Sequence, residues 1–342
     1  MDAVRSRCLV ITEESDAAPT RYRVLQFVPH FDKMGIALDV IPWPRAAKDQ
    51  GVLLRSLADW GAVVVQRRLP RLAAILEMRR QARRLVFDFD DAVIYRDSAR
   101  GRPYLLLDRW ARFRSLVGCC DAITAGNAYL GALAARYAQS SRVFVVPTTV
   151  EPGRYLQEET ERPAPNLLGW IGTHSTVPYL EQLRAPLETL CAQRPGIIVM
   201  AISGRPPKLG RVQVRWSAWN AASEVAQLRQ IQVGLAPLPN DRWSRGKCGL
   251  RLLQYLASGI PAVASPIGTQ GEITAEGAAL EATTAEQWIA GITRLLDDAP
   301  AARDYVSCGR RLIRERYSAE VWARKLAQIW SNIKVTERPA TE

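Results

Sequence analysis

The feature that most constrains this chain is a rhythm that occurs twice: short apolar, β-branched runs separated by helix-length stretches. In the first half, residues 8–12 (CLVIT), 36–41 (IALDVI), 62–66 (AVVVQ), 85–89 (LVFDF), 122–124 and 143–146 read as strands, and 21–34, 69–83, 104–117 and 128–137 as helices. Strand and helix in alternation at this spacing predict a parallel sheet with helices on both sides. A stretch rich in Pro and acid, 147–165, interrupts the rhythm and reads as a linker. The pattern then restarts, with strands at 167–171, 197–202, 233–236 and 261–264 and helices at 177–193, 250–258, 285–296, 301–316 and 319–333. The expectation is an α/β protein of two Rossmann-like, doubly wound domains facing a central cleft. The domains span 1–150 and 166–317, the linker 151–165, and a last helix, 318–334, packs back toward the first domain. In such sheets ligands sit beyond the carboxyl ends of the strands.

Composition narrows the class. Of 342 residues 48% are hydrophobic, enough to build two cores without disulfides or metals. The six cysteines, Cys8, Cys119, Cys120, Cys191, Cys248 and Cys308, form no C-x-x-C pair, and the two histidines are His30 and His174. That argues against a Cys/His zinc site, and scattered unpaired cysteines fit a reducing compartment. The run 8–12 is too short for a signal-peptide core, and no run approaches the roughly 18 apolar residues of a membrane span. A cytoplasmic location is expected, with peripheral contact at the inner face of a membrane as an option.

Basic residues number 46 and acidic ones 34, a net charge of +12. The excess is larger in residues 1–155, with 24 basic and 16 acidic, than in 156–342, with 22 and 18. A basic first half suits an anionic partner. Arg79, Arg80, Arg83 and Arg84, and the Arg- and aromatic-rich run 95–113, have two readings: contact with anionic lipid or a lipid-linked acceptor, or a solvated face over core aromatics. Nothing resembles a basic recognition helix or an RNP motif, so no nucleic-acid partner is expected. No G-x-G-x-x-G follows residues 8–12, which disfavours a dinucleotide-dependent dehydrogenase.

The most informative stretch is 236–272, APLPNDRWSRGKCGLRLLQYLASGIPAVASPIGTQGE. Arg245, Gly246, Lys247 and Gly249 stand before or at the start of a helix, and Arg251 stands in its first turn. Helix N-terminal amides with two or three cations suit a diphosphate; a solvated basic loop is the alternative. Elsewhere, Asp88-Phe89-Asp90-Asp91 ends the fourth strand. Asp90 and Asp91 there either orient a hydroxyl-bearing acceptor or pair with nearby arginines. His174, in a loop after the first strand of the second half, is a further candidate contact.

Residues 250–272 resemble the nucleotide-sugar region of family-4 (group 1) retaining glycosyltransferases, enzymes of the GT-B fold. Leu256-Ala257-Ser258-Gly259-Ile260-Pro261-Ala262-Val263-Ala264 follows their L-E-A-M-A-x-G-x-P-V-V-A run, and Gly268 to Glu272 matches their G-G-x-x-E segment. Arg251 and Tyr255 match a common Lys and Tyr. Residues 20–29, 121–127 with 143–151, and Gly169-Trp170-Ile171-Gly172-Thr173-His174-Ser175-Thr176 agree with other family segments in order and spacing. In this register the family's two glutamates fall on Gly246 and Gln254.

The resemblance implies a hexosyltransferase-type enzyme of glycan or glycoconjugate biosynthesis. It would move a sugar from a nucleoside-diphosphate sugar to a glycan, lipid-linked or other hydroxyl acceptor, with retention and with no metal or further cofactor. Gly172, Thr173, His174, Ser175, Arg245, Lys247, Arg251, Gln254, Gly268 and Glu272 would bind the donor, and Asp90 and Asp91 would serve the transfer. The alternatives are a GT-B sugar-nucleotide epimerase and a catalytically degenerate nucleotide-sugar or partner-binding protein.

Overall fold

A computed structural model describes residues 6–15, 17–98, 104–155 and 165–332. The chain divides into two compact units. The first contains residues up to Arg96, Tyr104–Thr149 and the C-terminal helix Ala319–Ser331; the second contains Val150–Ser318.

Each unit is built on a six-stranded, all-parallel sheet. In the first, β1 (Ser6–Thr12), β2 (Ile36–Pro42), β3 (Ala62–Gln66), β4 (Leu85–Phe89), β5 (Ala122–Ala125) and β6 (Val143–Val145) lie in the order β2-β1-β3-β4-β5-β6. In the second, β7 (Leu167–Ile171), β8 (Ile198–Ile202), β9 (Val214–Ser217), β10 (Val233–Ala236), β11 (Ala262–Ala264) and β12 (Leu280–Glu281) lie in the order β12-β11-β10-β7-β8-β9. Winding outward in both directions from the first strand creates a switch point: between β1 and β3 in the first sheet, and between β7 and β10 in the second. Loops leaving neighbouring strands diverge there and open a crevice at the carboxyl edge.

The C-terminal helix completes the core of the first unit. Its Ala323, Leu326, Ala327 and Trp330 are buried with Cys8, Val10, Phe27, Phe31 and Val64, and the Phe31 and Trp330 rings lie 5.8 Å apart. Arg84 closes the helix, donating from Nε to the Trp330 carbonyl at 3.0 Å and from Nη2 to that of Ile329 at 2.7 Å. These acceptors belong to the last turn, where carbonyls have no partner within the helix. Arg79 meanwhile pairs with Asp121 at 2.8 Å and Arg80 with Glu77 at 2.8 Å. Three arginines of the basic stripe 79–84 thus have protein partners.

Several sequence expectations need correction. The helix expected over 21–34 is three pieces, Ala18–Arg23, the 3-10 turn Leu25–Phe27 and Val28–Lys33. Pro29 has no N–H to give the carbonyl four residues back, so one continuous helix cannot form. The helix expected over 177–193 breaks into Val177–Glu181 and Arg184–Gln193, with Pro186 imposing the same limit. The helix expected over 104–117 is Leu107–Cys119, and 301–316 is the helix Ala299–Leu312 followed by a π turn, Ile313–Tyr317. The domain boundaries differ as well. Asp97 and Ser98 cluster with the second unit, where Ser98 Oγ lies 2.8 Å from Tyr179 Oη, and the short helix Pro152–Tyr155 occupies the start of the expected linker. Residues 156–164 of that linker, 99–103 of the Arg/aromatic run and the tail from 333 lie outside the described residues.

Candidate functional site

In the second unit the backbone of the switch point is set by Gly234 and Tyr255. Strands β7 and β10 pair only at Leu168–Val233 and Gly169–Gly234, then part. The buried Tyr255 hydroxyl enters the gap: it accepts from the Ile171 N–H at 3.2 Å and lies 3.2 Å from the carbonyls of Gly169 and Leu235. Burial pushes this hydroxyl's pKa well above its ordinary value, so it stays a neutral hydrogen-bonding group. Its ring needs a glycine opposite, since a Cβ at Gly234 would come within 2.6 Å of it.

The loop leaving β7 begins at Gly172, where a Cβ would lie 2.4 Å from the Trp170 ring and 2.7 Å from Thr176 Oγ1. The chain then turns through His174–Thr176. Thr173 Oγ1 sits 3.1 Å from Ser175 Oγ and 3.3 Å from Thr176 Oγ1, so three hydroxyls cluster, with Thr173 and His174 exposed. Arg251, at the second position of the helix Leu250–Ala257, ties this loop to that helix. It donates from Nε to the Ile171 carbonyl and from Nη2 to Thr176 Oγ1 at 3.5 Å, and its guanidinium stacks 4.5 Å from the Trp170 ring centroid.

The loop leaving β10 supplies Arg245 and Lys247. Arg245 is exposed and donates to Asn240 Oδ1 at 3.0 Å, and Lys247 Nζ lies 4.6 Å from the ring centroid of buried Trp243. Gly268, leading out of β11, fits against this loop with φ +58°. A Cβ there would meet the carbonyl oxygens of Lys247 at 2.6 Å and Arg245 at 3.0 Å. Thr269 N–H donates to the Lys247 carbonyl at 3.3 Å. Gly172–Ser175, Arg245, Lys247, Arg251 and Gly268 therefore gather on the loops and helix at the carboxyl ends of β7, β10 and β11. Gly246 and Gln254, which stand where the resembled family has its glutamates, are both buried. Glu272 is in the first turn of Thr269–Ala275, exposed, with its pKa raised by partial burial and opposed by Arg316.

In the first unit Asp88 and Asp90 are two apart on β4 and its exit, while Phe87 and Phe89 stack at 5.0 Å and meet Phe113 edge-on. Asp88 is a structural anion: Arg23 grips both its oxygens, at 2.8 and 2.6 Å, and Thr124 donates to it at 2.6 Å. Asp90 and Asp91 share Arg67, which bonds Asp91, lies 3.8 Å from Asp90 Oδ1 and 3.8 Å from Glu13 Oε2. Arg67 follows β3 and Glu13 follows β1, so this cluster stands at the switch point of the first sheet. Desolvation holds the Asp90 carboxyl above the usual carboxylate range, with Arg67 opposing and Asp91 adding to the rise.

Sequence reasoning missed Arg67. Its φ of +59° is unusual for a residue with a side chain, and its partners lie far away in sequence. It also missed the rim around β8 and β9, where the residues Trp216 and Trp219 are 44% and 37% exposed. Both indoles are oriented by hydrogen bonds, Trp216 Nε1 to the Ser203 carbonyl at 3.2 Å and Trp219 Nε1 to Glu224 at 2.7 Å. Among the described residues no group of three or more His, Cys, Asp or Glu is placed to hold a metal ion, and no helix is long and apolar enough to cross a membrane.

No protein-family model and no curated protein matches the chain. Solved structures do. A sucrose-phosphate synthase from Thermosynechococcus elongatus superposes with a TM-score of 0.71 at 13% identity, over 96% of this chain and 99% of that one. Anabaena HepE, solved with UDP and glucose, superposes with a TM-score of 0.69 at 11% identity, over 96% and 100%. An alpha-glucosyltransferase solved with UDP gives 0.69 at 10%, over 95% and 99%. The chain has the GT-B fold. Its two Rossmann-like units account for both six-stranded sheets, and the resemblance of residues 250–272 to glycosyltransferases of that fold agrees with it.

Proposed function

We propose that this GT-B chain transfers a sugar from a nucleoside-diphosphate sugar to an acceptor hydroxyl, with the donor on the second unit and the acceptor served by the first. The observation that carries the reading is the placement of Arg245, Lys247 and the Gly172–Ser175 loop beyond the carboxyl ends of β7 and β10, the switch point of a GT-B unit. Cations and hydroxyls there would neutralise the charge that grows on the diphosphate as the glycosidic bond breaks. HepE and the alpha-glucosyltransferase were solved with UDP, which makes a UDP-sugar the first donor to test. Retention of configuration follows from the family resemblance of residues 250–272. Exposed Trp216 and Trp219 offer flat apolar faces to a nucleobase.

In this reading Arg251 positions the β7 loop. Asp90, a carboxyl with a raised pKa next to Arg67, would hydrogen-bond and orient the acceptor hydroxyl. Glycan and lipid-linked acceptors, the latter at a membrane surface, both fit a hydroxyl nucleophile.

Gly246 favours a second reading: a protein that binds a nucleotide sugar without transferring it, because the resembled enzymes have a glutamate at that place. One experiment separates the two. The full chain is screened for stabilisation by UDP-, GDP-, ADP- and TDP-sugars, and the binding donor is then incubated with an acceptor panel. A ligand at 100 times its Kd adds about 2.7 kcal/mol of stability. Donor consumption that requires an acceptor supports the transferase; binding without turnover supports the second reading; no binding by any nucleotide sugar rejects both.

A further inference from the structure

The amino-terminal edge of the first sheet has a basic pocket that the proposed transfer does not use. It has a volume of about 730 Å³ and is lined by Arg114, Gly118, Arg136, Tyr137, Ala138, Gln139 and Arg142. Arg114 and Gly118 come from the last turns of the helix Leu107–Cys119, which precedes β5. Arg136 to Gln139 follow the helix Ala128–Ala134, and Arg142 immediately precedes β6. The pocket therefore lies at the strands' amino ends, whereas Asp90 and Asp91 follow the carboxyl end of β4.

Three arginines line this pocket and no acidic residue does, and the Arg114 guanidinium lies 5.8 Å from the Trp110 ring centroid. None of the three forms an ion pair among the described residues, in contrast to Arg79, Arg80 and Arg112, which pair with Asp121, Glu77 and Asp108. Three like charges around one concavity repel one another unless an anion joins them. An aromatic cluster packs beside them. Trp110 and Phe113 meet the Tyr137 ring edge-on at 6.3 and 6.2 Å, and Trp110 Nε1 donates to Tyr137 Oη at 2.8 Å. That bond uses an acceptor lone pair of the hydroxyl and leaves its O–H free to donate. A Cβ on Gly118 would stand 3.5 Å from the Tyr137 carbonyl, an ordinary van der Waals contact between the helix end and the loop after Ala134.

We propose that this pocket binds a phosphate group, held by Arg114, Arg136 and Arg142 with Tyr137 and Gln139 as neutral donors. Planar guanidinium forks match phosphate oxygens in pairs, and several such forks in one concavity select a multiply charged group over chloride. The phosphate comes either from a soluble phosphorylated molecule or from a lipid headgroup. The site is distinct from the proposed donor loops, which belong to the other unit.

The test compares three full-length proteins at low salt: wild type, the triple variant Arg114→Gln/Arg136→Gln/Arg142→Gln, and a charge-matched control, Lys48→Gln/Arg294→Gln/Arg303→Gln, at exposed positions outside the pocket. Each is titrated calorimetrically with inorganic pyrophosphate. Any pyrophosphate bound on the donor side is common to all three. The pocket component should weaken at least tenfold in the triple variant and persist in the control. The single variant Arg136→Gln, at an exposed loop position, should weaken it several-fold and guards against misfolding of the triple. Co-sedimentation with phosphatidylcholine vesicles, with and without phosphatidylglycerol, identifies the source. Loss of anionic-vesicle binding in the triple variant assigns a headgroup; no vesicle binding by wild type assigns a soluble phosphate. Identical pyrophosphate isotherms for wild type and triple variant, or an equal loss in the control, overturn the proposal.

Discussion

The guanidinium carbon of Arg251 lies 4.5 Å from the ring centroid of Trp170, at the end of β7. The same side chain donates to the Ile171 carbonyl, so it joins the helix after β10 to the strand on the other side of the switch point. Arg251 is thus part of the frame on which the loops after β7 and β10 stand. Burial lowers its pKa, though a guanidinium stays charged across the working pH range.

Arg251→Ala should affect folding and binding together. Losing a charge-assisted hydrogen bond and a desolvated cation–π contact should cost about 2–4 kcal/mol of stability. Nucleotide affinity should fall as the Thr173–Thr176 loop loosens. Chemical denaturation and titration calorimetry on the same preparation check this; an unchanged unfolding midpoint would show that the stacking contributes nothing.

Asp90 gives a pH signature. Its carboxyl pKa is raised in the folded protein, so folding favours the protonated form. The resulting stability is fully present below the ordinary carboxylate value of about 3.9 and is lost as pH rises through the raised value. Asp90→Asn imitates the neutral form. At neutral pH it should be at least as stable as wild type, and the stability gap between the two should close toward acid pH. Sugar transfer should drop much more than donor binding. Thermal melts across pH, with paired transfer and binding assays, read all three; wild-type transfer by the variant would remove Asp90 from the acceptor site.

The buried pair of Arg23 and Asp88 is 3% and 1% exposed. Removing one partner leaves a charge buried without its counterion, at a cost of about 3–5 kcal/mol. Arg23→Ala should therefore come close to unfolding the first unit. Arg7→Ala, which breaks an exposed pair with Asp39, should cost under about 1 kcal/mol. Denaturant midpoints of the two variants measured side by side should differ widely, and equal midpoints would mean that the Asp88 site rearranges.

Much of the fold was legible because burial writes itself into composition. Expected strands 62–66, 85–89 and 167–171 coincide with Ala62–Gln66, Leu85–Phe89 and Leu167–Ile171, each buried along its length. The edge strand Val214–Ser217 went unread because only Val214 and Ser217 are partly buried, and Arg215 and Trp216 interrupt the apolar run. The loops proposed for the donor stood out in the sequence because a phosphate-binding pattern has a local spacing, as at Gly172–Ser175 and Arg245–Lys247. Arg67 left no such trace, because its meaning lies in contacts with Glu13, Asp90 and Asp91 that only the tertiary fold makes. For the same reason sequence reading took Arg251 as a free phosphate ligand: its stacking on Trp170 spans 81 positions of the chain (251 − 170).

Two glycines of positive φ differ in what surrounds them, and Gly268, at φ +58° and ψ −139°, also holds a backbone conformation that is nearly closed to other residues. Gly277, at φ +73°, has no atom within 4 Å of a built Cβ, whereas at Gly268, φ +58°, the Cβ would lie 2.6 Å from the Lys247 carbonyl oxygen. Gly277→Ala should cost only backbone strain, about 1 kcal/mol. Gly268→Ala should cost more on both counts, backbone strain of about 1–3 kcal/mol and overpacking of about 1–3 kcal/mol, and displace the Arg245–Lys247 loop. Nucleotide affinity should fall in the second variant alone. Equal affinities would mean that the loop absorbs the displacement without moving its cations.

Tyr255→Phe isolates one hydroxyl at the switch point of the second unit. The ring and its fit against Gly234 remain, and the only loss is the oxygen that accepts from the Ile171 N–H and lies between the carbonyls of Gly169 and Leu235. The Ile171 amide then stays buried with no acceptor at that place, a cost of about 1–3 kcal/mol. No charge is removed from the site, so any loss of donor affinity reports on the spacing of β7 and β10 and not on electrostatics. Raising the salt concentration should weaken nucleotide binding by the same factor in wild type and variant, whereas Lys247→Ala should reduce that salt dependence. Amide hydrogen exchange at Ile171 gives the direct reading: it should speed up markedly in Tyr255→Phe, and unchanged protection would mean that a water molecule takes the place of the hydroxyl.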